Sequence, residues 1–246
     1  MNVDLGPPGG SVDARALLLR SGQALLAVVA GVLAASTLTP LLGEAALVLG
    51  FAAESAATAV FETIGNAAGF AVAGLLFLLY AGDMDLLRVR RPTRHDVAVI
   101  VVGSVALLGA GYAILAAFAA VGLTPSTNRV LSNPPLYFLA MVPLSFLTVA
   151  VGEELLFRGV VQGELGRALG PGGAIVGASL LFGLLHYLAG TGTPAERLVY
   201  VAVAALLGIG LGVAYEYTDN LVVPIVVHGA YNAVQYVMQY LSASGF

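Results

Sequence analysis

Apolar runs of span length, separated by short polar clusters, set the pattern of this chain. A run of about 20 predominantly apolar residues is what a helix needs to cross the hydrocarbon core of a bilayer. The first run covers residues 21–38 and is expected to stop at Thr39-Pro40, since an internal proline breaks the helical hydrogen-bond ladder. From 41 to 63 the helical pattern continues but carries Glu44, Glu54 and Glu62, so this stretch reads either as a span or as an interfacial helix. Residues 64–81 and 97–121 are clear spans, separated by a loop holding Arg88, Arg90, Arg91 and Arg94. A polar, proline-containing loop over 122–135 leads into a fourth run from Leu136. That run extends as an amphipathic helix to Leu169 and breaks at Gly170-Pro171-Gly172-Gly173. Runs over 174–188, 198–214 and 221–241 complete the set. The expected fold is all-α: a polytopic transmembrane helix bundle of about seven spans, or eight if 41–63 crosses. It divides into an N-terminal segment over 1–20, transmembrane helices over 21–135 and a core over 136–246.

Arginine placement tests the count, because cytoplasmic loops close to spans are enriched in Lys and Arg. With seven spans and a cytoplasmic N-terminus, Arg15, Arg20, Arg88, Arg90, Arg91, Arg94, Arg158 and Arg167 fall on or towards the inside, and Arg129 and Arg197 outside. That bias favours seven spans and makes 41–63 an outer interfacial segment. No A-x-A-like cleavage site follows the first run, which is therefore read as retained.

Composition agrees. The chain is 59% hydrophobic and 10% charged, against roughly 45–50% and 25% for a soluble domain. A net charge of −4 with no basic run argues against nucleic acid as a partner. Without cysteine there is no disulfide, thiolate metal site or cysteine nucleophile. Tryptophan is also absent, leaving interfacial anchoring to the ten tyrosines. All ten basic residues are arginine, which nothing in the sequence explains. The pairs Gly65/Gly69, Gly159/Gly163 and Gly208/Gly212 have the spacing that lets helices approach closely in lipid, and read as packing.

Ionisable groups at membrane depth are costly, so the few that occur there call for a function. Glu153, Glu154 and Arg158 lie inside an apolar run. On a helix Glu154 and Arg158 share a face in the favourable order, acid before base, which leaves Glu153 without a local partner. His186 and His228 also interrupt apolar spans, whereas His95 sits in the arginine loop and reads as solvated. His228 and Asn232 share a helix face, and Phe182 lies one turn before His186. The bland alternatives are glutamates solvated at a membrane border and histidines used in packing.

The chemistry such a set suits is peptide-bond hydrolysis. Glu153 would take a proton from water and His186 would share or relay it. His228 and Asn232 would donate hydrogen bonds to the oxyanion, and the Glu154–Arg158 pair would hold the helix. A second version gives Glu153, His186 and His228 to a zinc ion with an open fourth position. No H-E-x-x-H is present, so the pattern is not that of soluble zincins.

Glu153-Glu154-Leu155-Leu156-Phe157-Arg158, then Phe182 to His186, then His228 to Asn232 resemble the three motifs of the CPBP family of intramembrane proteases. That family includes the CAAX-processing type II, Abi and bacteriocin-processing proteases. The resemblance covers about residues 136–240, and all its motif positions are present. It implies a membrane bundle with a catalytic cavity and an essential leading glutamate, here Glu153. It also implies a membrane-associated peptide or protein substrate, prenylated in the eukaryotic branch. Both metal-dependent and metal-free glutamate mechanisms are argued for the family, and the residues fit both; the metal-free one is preferred here. Some relatives act as immunity or scaffold proteins, so a catalytically silent member is an alternative. A proton-coupled transporter is another, although the chain shows neither related halves nor interrupted helices.

Overall fold

The computed structural model describes residues 14–245, so the expectations for residues 1–13 lie outside it. Helix α1 is Ala14–Val48 and α2 is Ala56–Ala81; α3 is Arg94–Ala120. A composite rod follows: α4 (Pro135–Leu144), a π turn (Ser145–Val149), α5 (Ala150–Glu154), a longer π segment (Leu155–Gln162) and the start of α6 (Gly163–Ala189). Helices α7 (Pro194–Thr218) and α8 (Val222–Ala243) complete the fold. Among the described residues there is no strand, only one isolated bridge, Asn128 to Gly190.

Five helical stretches are long and apolar enough to cross a membrane, and the protein is an all-α membrane bundle. One of them, Pro135–Ala189, runs for 55 residues. At about 1.5 Å per residue it would overshoot a ~30 Å hydrocarbon core if straight. It is not straight. Gly170 takes φ 68° and ψ 175°, a conformation closed to residues with a β-carbon, and the chain turns back there. Leu165 then faces Gly177 and Ala174 faces Gly166, as in a helical hairpin. Pro135–Ala189 therefore makes two legs, 135–169 and 171–189.

Two details depart from expectation. Pro40 does not end the first helix but lies within α1; a single missing N–H is tolerated where neighbouring helices support the backbone. Residues 41–63 are consequently not a separate interfacial segment or span. They are the last turns of α1, a tight connection, and the start of α2, whose Ser55 N-cap accepts a hydrogen bond from the Thr58 N–H.

The first leg occupies the centre. Helices α1 and α2 pack on one side of it and α7 and α8 on the other, with α3 outside against α7 and α8. From Leu156 to Gln162 every residue is buried. Such all-round burial suits a helix enclosed by others rather than one facing lipid. Contact with α2 is backbone to backbone: a β-carbon at Gly152 would collide with the Ala67 carbonyl.

The two ends of the bundle differ. At one end Arg20 pairs with Glu164, Arg167 with Asp83, Arg88 with Glu216 and Asp219, and Arg90 with Asp96. At the other, residues 126–128 hydrogen-bond to residues 190–200, without any acid–base pair among the described residues.

Candidate active site

The two glutamates of the first leg have different surroundings. Glu154 is fully buried and both its carboxylate oxygens are engaged. Arg158 Nε donates to Oε2 at 3.0 Å, and His228 Nδ1 bonds Oε1 at 2.8 Å. Ionised beside Arg158, this carboxylate accepts, so His228 Nδ1 carries the hydrogen and Nε2 is left free. Glu153 has no hydrogen bond to any described residue. Its side chain is 16% exposed, and its Oε2 lies 3.8 Å from that free His228 Nε2. A separation beyond 3.5 Å between two polar groups is the span that one water bridges.

Local backbone produces this division. The carboxylates follow one π turn and precede another, a feature that recurs at functional sites. Ser145 Oγ donates to the Met141 carbonyl and Thr148 Oγ1 to the Leu144 carbonyl, and Pro143 provides no N–H. These features loosen the α ladder just before the site. Opposite, Gly229 brings α8 against Phe146, holding His228 at the height of Glu154.

Phe182 binds the third motif residue to the cluster. Its ring lies 4.5 Å from the His186 ring, 6.0 Å from His228 and 5.4 Å from the Arg158 guanidinium carbon, centroid to centroid or centroid to atom. His186 Nδ1 donates to the Phe182 carbonyl at 2.8 Å, which fixes the ring and leaves its Nε2 free. His186 makes no hydrogen bond to Glu153 or His228, but Glu153 is near enough to act on both rings electrostatically. Asn232, one turn beyond His228, is half-buried and hydrogen-bonds to no described residue. Glu153, Glu154, Arg158 and His228 therefore form one directly connected group. His186 joins through Phe182, and Asn232 shares only the helix face.

Other residues of the region were not singled out from sequence. Tyr200 packs on His186 with ring centroids 5.4 Å apart, and its hydroxyl accepts from Asn128 Nδ2 at 2.9 Å. Tyr200 and Tyr236 both lie within electrostatic reach of Glu153. On the other side, Gln162 Nε2 donates to Glu216 Oε1 at 2.9 Å, and Glu216 pairs with Arg88. A polar line thus runs from His228 through Glu154 and Arg158 towards the arginine-rich end. It has one gap: both Arg158 amino groups, Gln162 Oε1 and Ser179 Oγ are buried without partners. Two donors and two acceptors there are complementary, the setting in which buried water bridges unsatisfied groups. Gln162, polar within an apolar run, was the visible signal for this line.

The zinc version needs Glu153, His186 and His228 to converge on one point. Among the described residues no three His, Asp or Glu side chains converge as a metal-binding group. His228 commits Nδ1 to Glu154 and His186 its Nδ1 to a carbonyl, which leaves both Nε2 atoms free, the arrangement also found in histidines that ligate zinc.

Fold and site define a class: an integral membrane helical bundle with an acid–base cluster enclosed among its helices. Residues 135–234 match the family described as Type II CAAX prenyl endopeptidase Rce1-like. The resemblance read from the three motifs agrees with this match. The chain is also 35% identical over 105 residues to the uncharacterized protein YpbD of Bacillus subtilis (strain 168). That match spans 42% of this chain and 44% of the relative, less than half of each. No solved structure matches the chain.

Proposed function

We propose that the protein is an intramembrane endopeptidase that hydrolyses a peptide bond in a membrane-associated protein or peptide, with Glu153 as the base. The match of residues 135–234 to the CAAX endopeptidase Rce1-like family supports the protease reading in general. The observation that carries the mechanism is the contrast between the two glutamates. Glu154 is spent on Arg158 and His228, whereas Glu153 is unpaired, accessible and 3.8 Å from a free imidazole nitrogen.

In this reading a water sits between Glu153 Oε2 and His228 Nε2. Glu153 takes one proton as the water oxygen bonds to the substrate carbonyl carbon. The oxyanion accepts hydrogen bonds from the Asn232 amide and from His228 Nε2–H of the imidazolium, the form reached when Nε2 takes a proton from solvent before the substrate binds and stabilised by Glu154 through Nδ1. When the carbon–nitrogen bond breaks, Glu153 returns its proton to the departing amine. His186, with its Nε2 free, orders the water on the side facing Glu153. Arg158 touches no substrate; it fixes Glu154, which fixes the His228 tautomer. A lipidated C-terminal peptide is the substrate class the family points to.

The test is cleavage of prenylated and unprenylated C-terminal peptides by purified protein in liposomes. Glu153→Gln and His228→Ala should each lower turnover by 10²-fold or more, with insertion kept in both and the melting temperature kept in Glu153→Gln. Full activity in Glu153→Gln removes it as the base. Activity should also survive chelation; stoichiometric metal lost together with activity would replace the water mechanism with a zinc one.

A further inference from the structure

At the arginine-rich end, α3 and α7 diverge around a groove of about 410 Å³, lined by Ala98, Val99, Val102, Gly210, Val213 and Ala214 among others. Its wall is almost wholly apolar, and its mouth is closed by His95 and Tyr217, whose Nε2 and hydroxyl lie 3.3 Å apart. The groove faces outward, with Ala98, Val102 and Val213 exposed on the surface that meets lipid. From His95 to Val102 it follows roughly 10 Å of helix axis. A gap of this kind in a bilayer fills, because wall atoms without neighbours forfeit dispersion contacts.

The charges around the mouth decide what fills it. Of the arginines of the α2–α3 loop, Arg88 is committed to Glu216 and Asp219, and Arg90 to Asp96. Asp96 is further occupied by Thr93, so it is not free to neutralise its neighbours. Arg91 and Arg94 are exposed, form no ion pair with any described residue, and precede His95 in the chain, Arg94 directly. An apolar slot with two uncompensated arginines in the segment that leads into it is complementary to a ligand with a hydrocarbon tail and an anionic head. Arginine suits phosphate oxygens in particular, through paired N–H donors.

We infer that the α3–α7 groove binds an anionic phospholipid, one acyl chain lying along Val99, Val102 and Val213 and its phosphate held by Arg91 and Arg94, with His95 and Tyr217 at the glycerol level. Neither Arg91 nor Arg94 touches the acid–base cluster, so the site stands apart from the proposed hydrolysis. Native mass spectrometry of the full-length protein tests it, by titrating phosphatidylglycerol against phosphatidylcholine of the same chain length. The wild type should retain one phosphatidylglycerol in preference to phosphatidylcholine. Arg91→Gln/Arg94→Gln should lower phosphatidylglycerol affinity by about 25-fold, since each arginine near an anionic headgroup contributes on the order of 1 kcal/mol. Both side chains are exposed, so this variant should fold. Ala98→Phe, which fills the groove from its outer wall, should reduce retention of both lipids. Equal retention of the two lipids by the wild type overturns the inference, as does unchanged preference in the arginine variant. A lipid-free dimer lost in Ala98→Phe would give the groove to a second copy instead and equally overturn it.

Discussion

Among single residues, Arg158 has the largest consequence for stability. It is a fully buried cation whose one ionic partner, Glu154, is also fully buried. Removing one member of a buried pair strands the other charge and costs roughly 3–5 kcal/mol, whereas removing both costs less than the sum. Glu154→Leu and Arg158→Leu should each lower the melting temperature in detergent sharply, and the double variant should recover part of the loss. Equal and additive losses would mean that the pair is not coupled. Gln162→Leu should be milder in stability, because its side chain bonds to Glu216 and a backbone carbonyl rather than to an ion in the cluster. The pair at positions 154 and 158 was legible from spacing alone, since four helical residues bring two side chains onto one face. Tyr200 and Asn128 were not: they reach His186 from a separate helix and loop, and no local pattern encodes that meeting.

The elements show where sequence patterning stops being informative. Hydropathy located the apolar rods, and Gly170-Pro171 marked the reversal between the two legs. The helical continuity through Pro40 was hidden, because the support that lets a proline sit inside a transmembrane helix comes from neighbouring helices. The π segments on either side of the glutamates were hidden too; apolar runs give no signal for a change in hydrogen-bond register. Gly170 offers a direct test. Its ψ of 175° at φ 68° lies where only glycine is comfortable, so Gly170→Ala should cost roughly 1–3 kcal/mol, read as a loss of thermal stability. At the same end, hydrogen bonds from Arg167 hold the Asp83 carboxyl below its usual range, tying the α2–α3 loop to the first leg. A depressed carboxyl stabilises the fold above its unfolded pKa of about 3.9, and this contribution is lost as pH falls through the lower folded value. The difference in melting temperature between wild type and Asp83→Asn should therefore be greatest near neutrality and shrink below about pH 4. A difference independent of pH would show that the link is not ionic.

For the whole molecule, the charge distribution predicts which way the bundle faces. Arg20, Arg88, Arg90, Arg91, Arg94 and Arg167 lie at the end holding the α2–α3 loop, and Arg129 and Arg197 at the opposite end. Arg158 does not count towards either, because it is sealed in the centre of the bundle. Translocation disfavours clustered arginines in short loops, so the α2–α3 loop should be cytoplasmic. Seven antiparallel rods, counting the two legs separately, then put the 121–134 connection on the other face. The absence of cysteine makes this measurable without background. Asp85→Cys and Ser132→Cys both place a thiol at an exposed position, one at each end. In intact cells a membrane-impermeant maleimide should label Ser132→Cys at once and Asp85→Cys only after permeabilisation. The reverse pattern would invert the protein. Simultaneous labelling of both would place the two connections on one face, which α3, as the rod between them, could satisfy only by failing to cross.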